Sequence, residues 1–274
     1  MIDIDINFVL SKEMILTKEI KKEVSETEIQ DKNLILYLSP SEYKEFIKNN
    51  PNSEKIIYLD IDSEKYLQLI TEYKKTAIKY SNFWRSIYYK YINLKNNFLF
   101  VSGEKGNGKS SFSIIVDLMF NQDYQKFLDF FSFALNETIK KSMTIKHKFI
   151  TIEEASSLLN REEKEIKNLI FEFFDRIGNT YNSYVLNAPN YRLFKYLKND
   201  TDFLIDFYRR SNAIIWRKQK FSNPNQNRIY FTKIETIRTL PLNADLYNQY
   251  VQFKNARNIN RLDYMNKIFS SYDI

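Results

Sequence analysis

Apolar and polar positions follow two different periods along this chain, and the two periods predict both strands and helices. Short apolar or aromatic runs bounded by turn-forming residues are typical of buried strands. They occur at residues 34–38, 56–59, 98–101, 130–133, 149–152, 183–186 and 213–216. Between several of these runs, apolar residues recur three and four positions apart, as they do along a helix that packs against a core.

The order of these elements predicts the fold class. From residue 96 onwards strands alternate with helices, which is typical of an α/β protein with a mainly parallel sheet and helices on both faces. Residues 1–95 predict a smaller α+β region, so we divide the chain into this N-terminal region and a domain of residues 96–274. A ligand of such a sheet is expected at the carboxyl ends of its strands.

Three longer segments predict the helices and the hairpin that complete these two parts. The stretch Ser63–Leu94 predicts a long helix with a bend near Ser81. A helix is also expected at Tyr191–Tyr208. Residues 213–237 predict a hairpin with an Asn- and Pro-rich turn, and an amphipathic helix follows and reaches Phe269.

The glycines of this chain are concentrated in one loop. Only four occur in 274 residues, and three of them lie in the run Gly103–Ser110, which matches the Walker A pattern G-x-x-x-x-G-K-[ST]. A strand before such a run and a helix after it are what a phosphate-binding loop needs, although an ordinary glycine turn is the alternative interpretation. Lys109 is expected to reach the β- and γ-phosphates of a nucleotide, and Ser110 to ligate Mg²⁺. The candidate nucleotide-binding residues are Gly103, Glu104, Lys105, Gly106, Asn107, Gly108, Lys109, Ser110 and Ser111.

Two neighbouring acids follow the apolar strand at residues 149–152. Glu153 is the candidate that holds Mg²⁺, usually through water, and Glu154 is the candidate that polarises the attacking water. An apolar strand ending in two acids is the Walker B form of ATPases that have an additional strand and a catalytic glutamate. Those ATPases have Asp at the first position, so the longer Glu153 leaves open which acid does which task. Two solvated acids at a helix start are the alternative interpretation.

Polar residues also stand at the ends of two later elements. Asn187 ends a predicted strand and is the candidate that senses the γ-phosphate, with Asn190 as a second choice and an Asn-Pro turn as the alternative. Arg209 and Arg210 precede the next strand. Many ring-forming ATPases carry at this place an arginine that reaches the γ-phosphate of a neighbouring subunit, whereas a basic helix end is the alternative.

Composition and charge exclude several classes of chemistry. The chain has no cysteine and a single histidine, so disulfides, cysteine-ligated zinc, histidine metal clusters and a Ser-His-Asp triad are excluded. Its net charge of +7 and isoelectric point of about 9.1 favour an anionic partner, and we expect a nucleic acid, DNA or RNA, although a solvated basic surface is the alternative interpretation. It lacks the pattern of a signal peptide and any apolar run of about 20 residues, so a soluble intracellular protein is expected.

The order of these motifs resembles the DnaA-like, AAA+-type small P-loop ATPases of spindle-shaped viruses and plasmids of crenarchaea. The resemblance covers residues 98–269 and its specific part is the two Walker motifs. It also rests on Ala155 after the acidic pair, on the strand that runs into Asn187-Ala188-Pro189-Asn190, on the basic hairpin, and on a late Leu-Pro before Tyr250 and Arg257.

This resemblance implies an AAA+-like P-loop NTPase fold of the additional-strand, catalytic-glutamate type. It further implies ATP and Mg²⁺ as cofactors, DNA as a partner, a homo-oligomer, and a place in the cytoplasm of the cell that hosts the virus or plasmid. Replication initiation is the role that the resemblance favours. The sequence departs from the family after Trp216, where no regular helical lid is evident.

Three other functions would use related parts. A DNA packaging or translocation motor of the FtsK/HerA group is the close alternative. A nucleotide-gated switch that hydrolyses slowly is another, although the doubled acid at residues 153–154 argues against it. A small-molecule kinase is the third, but residues 121–145 contain no arginine of the kind that lines a substrate lid.

Overall fold

The computed structural model describes residues 35–153, 168, 172–174, 176, 177, 180–188, 191, 193–223 and 226–270. Its strands are β1 (Ile35–Leu38), β2 (Ile56–Leu59), β3 (Phe98–Gly103), β4 (Phe131–Ser132), β5 (Phe149–Ile152), β6 (Ser183–Asn187), β7 (Phe203–Arg209), β8 (Asn212–Asn223) and β9 (Gln226–Arg238). Its helices include α1 (Pro40–Asn49), α2 (Ser63–Tyr80), α3 (Asn82–Ile92), α4 (Lys109–Asn121), α5 (Leu135–Thr144), α6 (Phe194–Leu197) and α7 (Ala244–Ser270). Among the helices of this part of the chain, none combines the length and the apolar character needed to cross a bilayer.

One large sheet organises the structure. Its strand order is β4-β5-β6-β3-β7-β8-β9, and β1 and β2 form a separate parallel pair. The strands from β4 to β7 are parallel to one another, whereas β8 and β9 continue the sheet as antiparallel strands. The predicted α/β class with a mainly parallel sheet is therefore confirmed, and β6 lies between the strand before the glycine loop and the strand before Glu153.

The side chains of β3 alternate between two hydrophobic cores, one on each face of the sheet. Leu99 and Val101 face the core that holds α2, α3, α4 and the start of α7, whereas Phe98 and Phe100 face a second core with α6. Burying each of these side chains stabilises the fold by roughly 1.5–3 kcal/mol. Helices cover both faces, as the alternation of strand and helix in the sequence predicted.

The N-terminal region shares the first of these cores with the large sheet. Trp84 of α3 is buried and packs against Phe112 of α4 with ring centroids 5.8 Å apart. The backbone N–H of Leu59 donates to the carbonyl oxygen of Leu242 at 2.8 Å. The predicted boundary at residue 95 therefore separates two parts of the chain that are packed into one core, while residues 1–34 lie outside the described part.

Serine residues define where two of these helices begin. Ser39 and Glu42 form a reciprocal capping box at the start of α1. The predicted bend near Ser81 is a break between two helices, because the Ser81 hydroxyl accepts from the N–H of Trp84 at 3.1 Å and caps α3. The same hydroxyl donates to Glu235 of β9 at 2.7 Å, which ties this helix start to the large sheet.

The prediction of a helix at Tyr191–Tyr208 is wrong for most of its length. Only Phe194–Leu197 is helical, and Phe203–Arg209 is strand β7, hydrogen-bonded to β3 on one side and to β8 on the other. A run of bulky apolar residues fits a buried strand as well as a buried helix. The segment is a strand here because β3 and β8 each hydrogen-bond to it, and without it these two edges would lack partners.

Candidate phosphate- and metal-binding site

The glycine loop connects the carboxyl end of β3 to the first turn of α4. Gly103, Gly106 and Gly108 have φ angles of +138°, +87° and +103°, which other residues rarely adopt. Gly108 is the N-cap of α4, and no side chain caps this helix. Because the amides of a first helical turn have no intrahelical acceptor, those of Lys109, Ser110 and the next residue are suited to binding an anion.

Strand β7 and the turn after it hold this loop in place. A Cβ atom on Gly103 would lie 2.6 Å from the carbonyl oxygen of Phe207, so the two backbones touch here. The side chain of Asn107 donates to that same oxygen at 3.3 Å. The carbonyl oxygen of Asn107 accepts from the N–H of Ser211 at 3.0 Å. The loop is therefore fixed at its first residue and near its apex.

The ammonium group of Lys109 closes the loop. Its Nζ donates to the carbonyl oxygens of Gly103 at 2.6 Å and Glu104 at 2.8 Å. Burial lowers the pKa of Lys109; the negative charges of Glu153 and Glu104 oppose that shift and the positive charge of Lys254 adds to it. The side chain of Lys109, at the end of the loop, thus reaches back to the first two residues of the loop. Its positive charge lies beside amides that are suited to binding an anion.

Glu153 follows β5 and is the buried carboxylate of the site, with 2% of its surface exposed. Asn187 at the end of β6 donates its Nδ2 to Glu153 Oε1 at 2.8 Å, and the Oδ1 of Asn187 accepts from the Ser113 hydroxyl at 3.1 Å. Burial raises the pKa of Glu153, and the hydrogen bond from Asn187 opposes that rise. Asn187 therefore connects the acid after β5 to helix α4.

Helix α7 contributes two residues that the sequence analysis did not assign to the site. The Tyr250 hydroxyl donates to the Ser110 hydroxyl at 3.0 Å. The charge of Lys254 and hydrogen bonds from Ser110 and Tyr250 counteract the raised pKa of Glu153, so all four residues lie in one cluster. Tyr250 and Lys254 are four positions apart and share a helix face, but nothing in the sequence indicates what that face contacts.

The two candidate arginines are neighbours in the chain, but Arg209 is the last residue of β7 and Arg210 lies in the turn before β8. Arg210 Nε donates to the carbonyl oxygen of Gly106 at 3.2 Å, so this side chain lies on the glycine loop of its own chain. Its Nη1 is buried and has no hydrogen-bond partner among the described residues. Arg209 points elsewhere and donates to Asn52 at 3.2 Å. The action of either arginine on a neighbouring subunit stays a prediction.

These residues fit a magnesium–nucleotide complex. The amides at the start of α4, the ammonium group of Lys109 and the guanidinium group of Arg210 beside the loop are all donors that suit phosphate oxygens. Ser110 and Glu153 supply a hydroxyl and a carboxylate oxygen. Mg²⁺ is usually held by one or two such ligands together with substrate phosphates, and no all-protein cluster of three acidic or histidine ligands occurs in the described part of the chain. Glu154 and Asn190 lie outside the described residues, and their roles stay predictions.

Comparison with known proteins found no family model that matches this chain and no curated protein that matches it significantly. The fold and the site define an α/β protein with a glycine loop at the carboxyl edge of a mostly parallel sheet. Its function must therefore be argued from the chemistry of that edge.

Proposed function

We propose that this protein is an Mg²⁺-dependent ATPase of a mobile genetic element that acts on DNA, with replication initiation as its role. One observation carries the proposal. The hydroxyl of Ser110 and the carboxylate of Glu153, from the two predicted Walker motifs, belong to one cluster at the carboxyl end of the parallel strands, in which Glu153 is buried and Ser110 is half-buried. Residues 43 positions apart in the chain meet where a phosphate-bound metal would need them.

The position of β6 supports the additional-strand class within the P-loop NTPases. In that class a further strand separates the strand before Walker A from the strand before Walker B. Here β6 pairs with β3 on one side and with β5 on the other. Its last residue, Asn187, bonds both to Glu153 and to Ser113, as expected of a residue that reports on the phosphate between the two motifs.

Each residue of the site has a definite task in this proposal. The amides of the glycine loop and Lys109 bind the β- and γ-phosphates, and Ser110 with Glu153 would hold Mg²⁺. When bound, Mg²⁺ would neutralise charge that develops on the phosphate oxygens. Arg210 supplies a guanidinium group next to the loop, and Glu154 is proposed to orient the attacking water.

The evidence for DNA is electrostatic. The chain carries a net charge of +7, and residues 207–234 contain seven lysines or arginines and no acidic residue. Positive surfaces of this kind bind the phosphate backbone of nucleic acids. Replication initiation, rather than another process on DNA, rests on the resemblance of the motif order to DnaA-like ATPases.

Nucleotide binding and turnover test the proposal directly. We expect the protein to bind ATP with Mg²⁺ and to hydrolyse it faster when DNA is present. Lys109→Ala should reduce turnover by about 10²-fold or more, because a charged donor to the phosphates is lost. Lys75→Ala is the matched control, since this exposed lysine lies on α2, outside the glycine loop. Equal activity in both variants, or no ATP binding at all, would refute the ATPase.

The alternative of a translocation motor differs in its dependence on duplex length. A motor that moves along DNA should turn over more ATP on longer duplexes, whereas an initiator should depend on the sequence of the site and not on its length. Turnover that rises steadily with duplex length would replace replication initiation by packaging or translocation.

A nucleotide-gated switch is the second candidate, and the hydrogen bond from Tyr250 to Ser110 favours it. Through this bond helix α7 contacts the proposed metal ligand, so occupancy of the site can change the position of the helix. A switch needs little hydrolysis. Turnover that is lost in Glu154→Gln and retained in Glu154→Asp would favour the ATPase, whereas equally slow turnover in both and in the unmodified protein would favour the switch.

A further inference from the structure

A second polar site lies at the amino ends of β3 and β7, at the opposite end of the sheet from the glycine loop. This amino-end pocket has a volume of about 510 Å³ and lies between α3 and the base of the β8–β9 hairpin. Its position follows from Asp202, whose N–H donates to the carbonyl oxygen of Phe98 at 2.9 Å at the start of β3. Its charged lining consists of Arg85, Lys90, Lys95, Arg217, Lys218 and Asp202.

Positive charge in this pocket exceeds the negative charge that the pocket itself supplies. Asp202 Oδ1 accepts from Lys90 Nζ at 2.5 Å, and Asp202 Oδ2 accepts from the N–H of Phe98 at 3.0 Å. Both oxygens of the one lining carboxylate are therefore engaged, while five cations line the pocket. Burial lowers the pKa of Lys218; the negative charges of Asp202 and Asp200 oppose this shift, and the positive charges of Lys220 and Lys90 add to it. An anionic ligand would relieve this imbalance.

The hairpin extends the positive surface beyond the pocket. Strand β7 pairs with β8 only as far as Arg217, so beyond that residue β8 and β9 pair with each other alone. We call this two-stranded part, residues 218–223 and 226–231, the ribbon. Lys220 and Arg228 are exposed on it, and Lys233 is exposed directly after it. Strands rise about 3.3 Å per residue, so charges along the ribbon can contact successive groups of an extended polyanion.

Exposed aromatic rings accompany these cations. Tyr89 lines the pocket and is 62% exposed, and Tyr230 lies on the ribbon and is 48% exposed. Tyr89 follows Arg85 by four positions, so both side chains lie on the same face of α3. Aromatic side chains next to a positive groove stack on unpaired bases.

We propose that the amino-end pocket and the ribbon together bind the sugar–phosphate backbone of DNA. The inference rests on the DNA-acting part of the proposed function and names the surface that performs it. A single small anion would satisfy the pocket alone, whereas the charge continues along the ribbon. A flat anionic membrane could not enter a concave pocket. DNA contact at this end leaves the glycine loop at the opposite end of the sheet accessible to ATP.

Fluorescence anisotropy with a labelled single strand and the corresponding duplex tests this surface without any need for hydrolysis. The test variant is Lys95→Ala with Arg217→Ala, because both side chains are exposed and make no hydrogen bond or ion pair with a described residue. Each lost phosphate contact lowers the slope of log K against log salt by about 0.7–0.9. The slope for the double variant should therefore be shallower by about 1.4–1.8. It should bind more weakly at low salt, and its affinity should fall about tenfold less than that of the unmodified protein between about 50 and 200 mM KCl.

The matched control is Lys75→Ala with Lys126→Ala, which removes the same charge from exposed positions outside the pocket. An equal loss in both double variants would overturn the inference, because net charge alone would then explain binding. A similar loss for the single strand and the duplex in the pocket variant, with normal binding in the control, supports contact with the backbone, which both DNAs share.

The remaining outcomes separate this inference from the ATPase. DNA binding that survives Lys109→Ala and fails in the pocket variant supports the surface even if no turnover is found. An active ATPase whose pocket variant binds DNA normally would overturn the surface and leave the ATPase standing. Pocket-dependent binding of phosphatidylserine vesicles without binding of DNA would also overturn it.

Discussion

The two ends of the parallel sheet use charge in opposite ways. At the carboxyl end, charges of both signs are buried or half-buried and hydrogen-bonded to defined partners, as Glu153 is to Asn187 and Lys109 is to the loop carbonyls. At the amino end, cations dominate and several of them, such as Lys95 and Arg217, are exposed. Buried charges hold a small ligand in one geometry, whereas exposed charges attract a long anion through their summed field.

Under the two proposals above, one sheet carries nucleotide binding at one end and DNA binding at the other. A substitution at the carboxyl end should change nucleotide chemistry and leave DNA binding intact, and the reverse should hold at the amino end. Changes to the elements that connect the ends should affect both.

The largest effect is expected from Gly103→Ala, which should affect both ends of the sheet because both depend on β3. A Cβ atom there would lie 2.6 Å from a carbonyl oxygen and 2.8 Å from Cβ of Phe207, at a φ angle of +138°. We expect a loss of about 2–4 kcal/mol in the free energy of unfolding, measured with urea.

Gly106→Ala is the milder counterpart of that change. A Cβ atom there meets only Arg210 Nη2 at 3.5 Å, so the strain of its φ angle of +87° remains, about 1–2 kcal/mol. Equal stability of the two alanine variants would show that the close approach of β7 to β3 is not what demands a glycine at residue 103.

A smaller effect, of opposite sign, is expected from Glu153→Gln at the carboxyl end. Burial raises the folded pKa of Glu153 above its unfolded value, so the folded state retains a proton that the unfolded chain has lost. Stability therefore falls as the pH rises through the interval between the two values, and the penalty is complete above the folded pKa. Without Mg²⁺, Glu153→Gln should raise the free energy of unfolding at neutral pH by about 0.5–2 kcal/mol.

Urea unfolding at several pH values in EDTA measures this gain, which should vanish below the unfolded pKa. Glu104→Gln is the control, because it removes an exposed carboxylate of the same loop. A gain from Glu153→Gln that is independent of pH would contradict the explanation. DNA binding should be the same in both variants, because the proposed DNA-binding surface lies at the opposite end of the sheet.

The smallest effect is expected from Tyr250→Phe. This substitution tests whether helix α7 takes part in nucleotide binding at the carboxyl end of the sheet. The variant loses the hydrogen bond to Ser110 and retains the aromatic contact with Phe131. We expect a change of about 0.5–1.5 kcal/mol in the free energy of ATP binding in the presence of Mg²⁺. Calorimetric titration that shows no change with ATP would exclude contact between α7 and the nucleotide site.

Local patterns in the sequence predicted a large part of this architecture. The strands at residues 35–38 and 56–59, an irregularity near Ser81, the glycine loop and the late hairpin were all predicted, because each depends on apolar periodicity, caps or turn residues within a short segment. The irregularity was predicted as a bend in one helix, and the structure has two helices there. The prediction of a helix at Tyr191–Tyr208 was wrong because the conformation of this segment depends on strands that are distant in the sequence. Its apolar run fits two conformations, and only the pairing partners β3 and β8 distinguish them.

The sequence by itself determined the chemical groups available and their local conformation: a glycine loop before a helix, an acid after an apolar strand, and an excess of cations in the hairpin. Only the tertiary structure decided which of these groups meet. Tyr250 reaches Ser110 across 140 residues, and Arg217 of β8 joins α3 in one pocket. The physical reason is that such contacts depend on the order of the strands in the sheet, which no local pattern encodes.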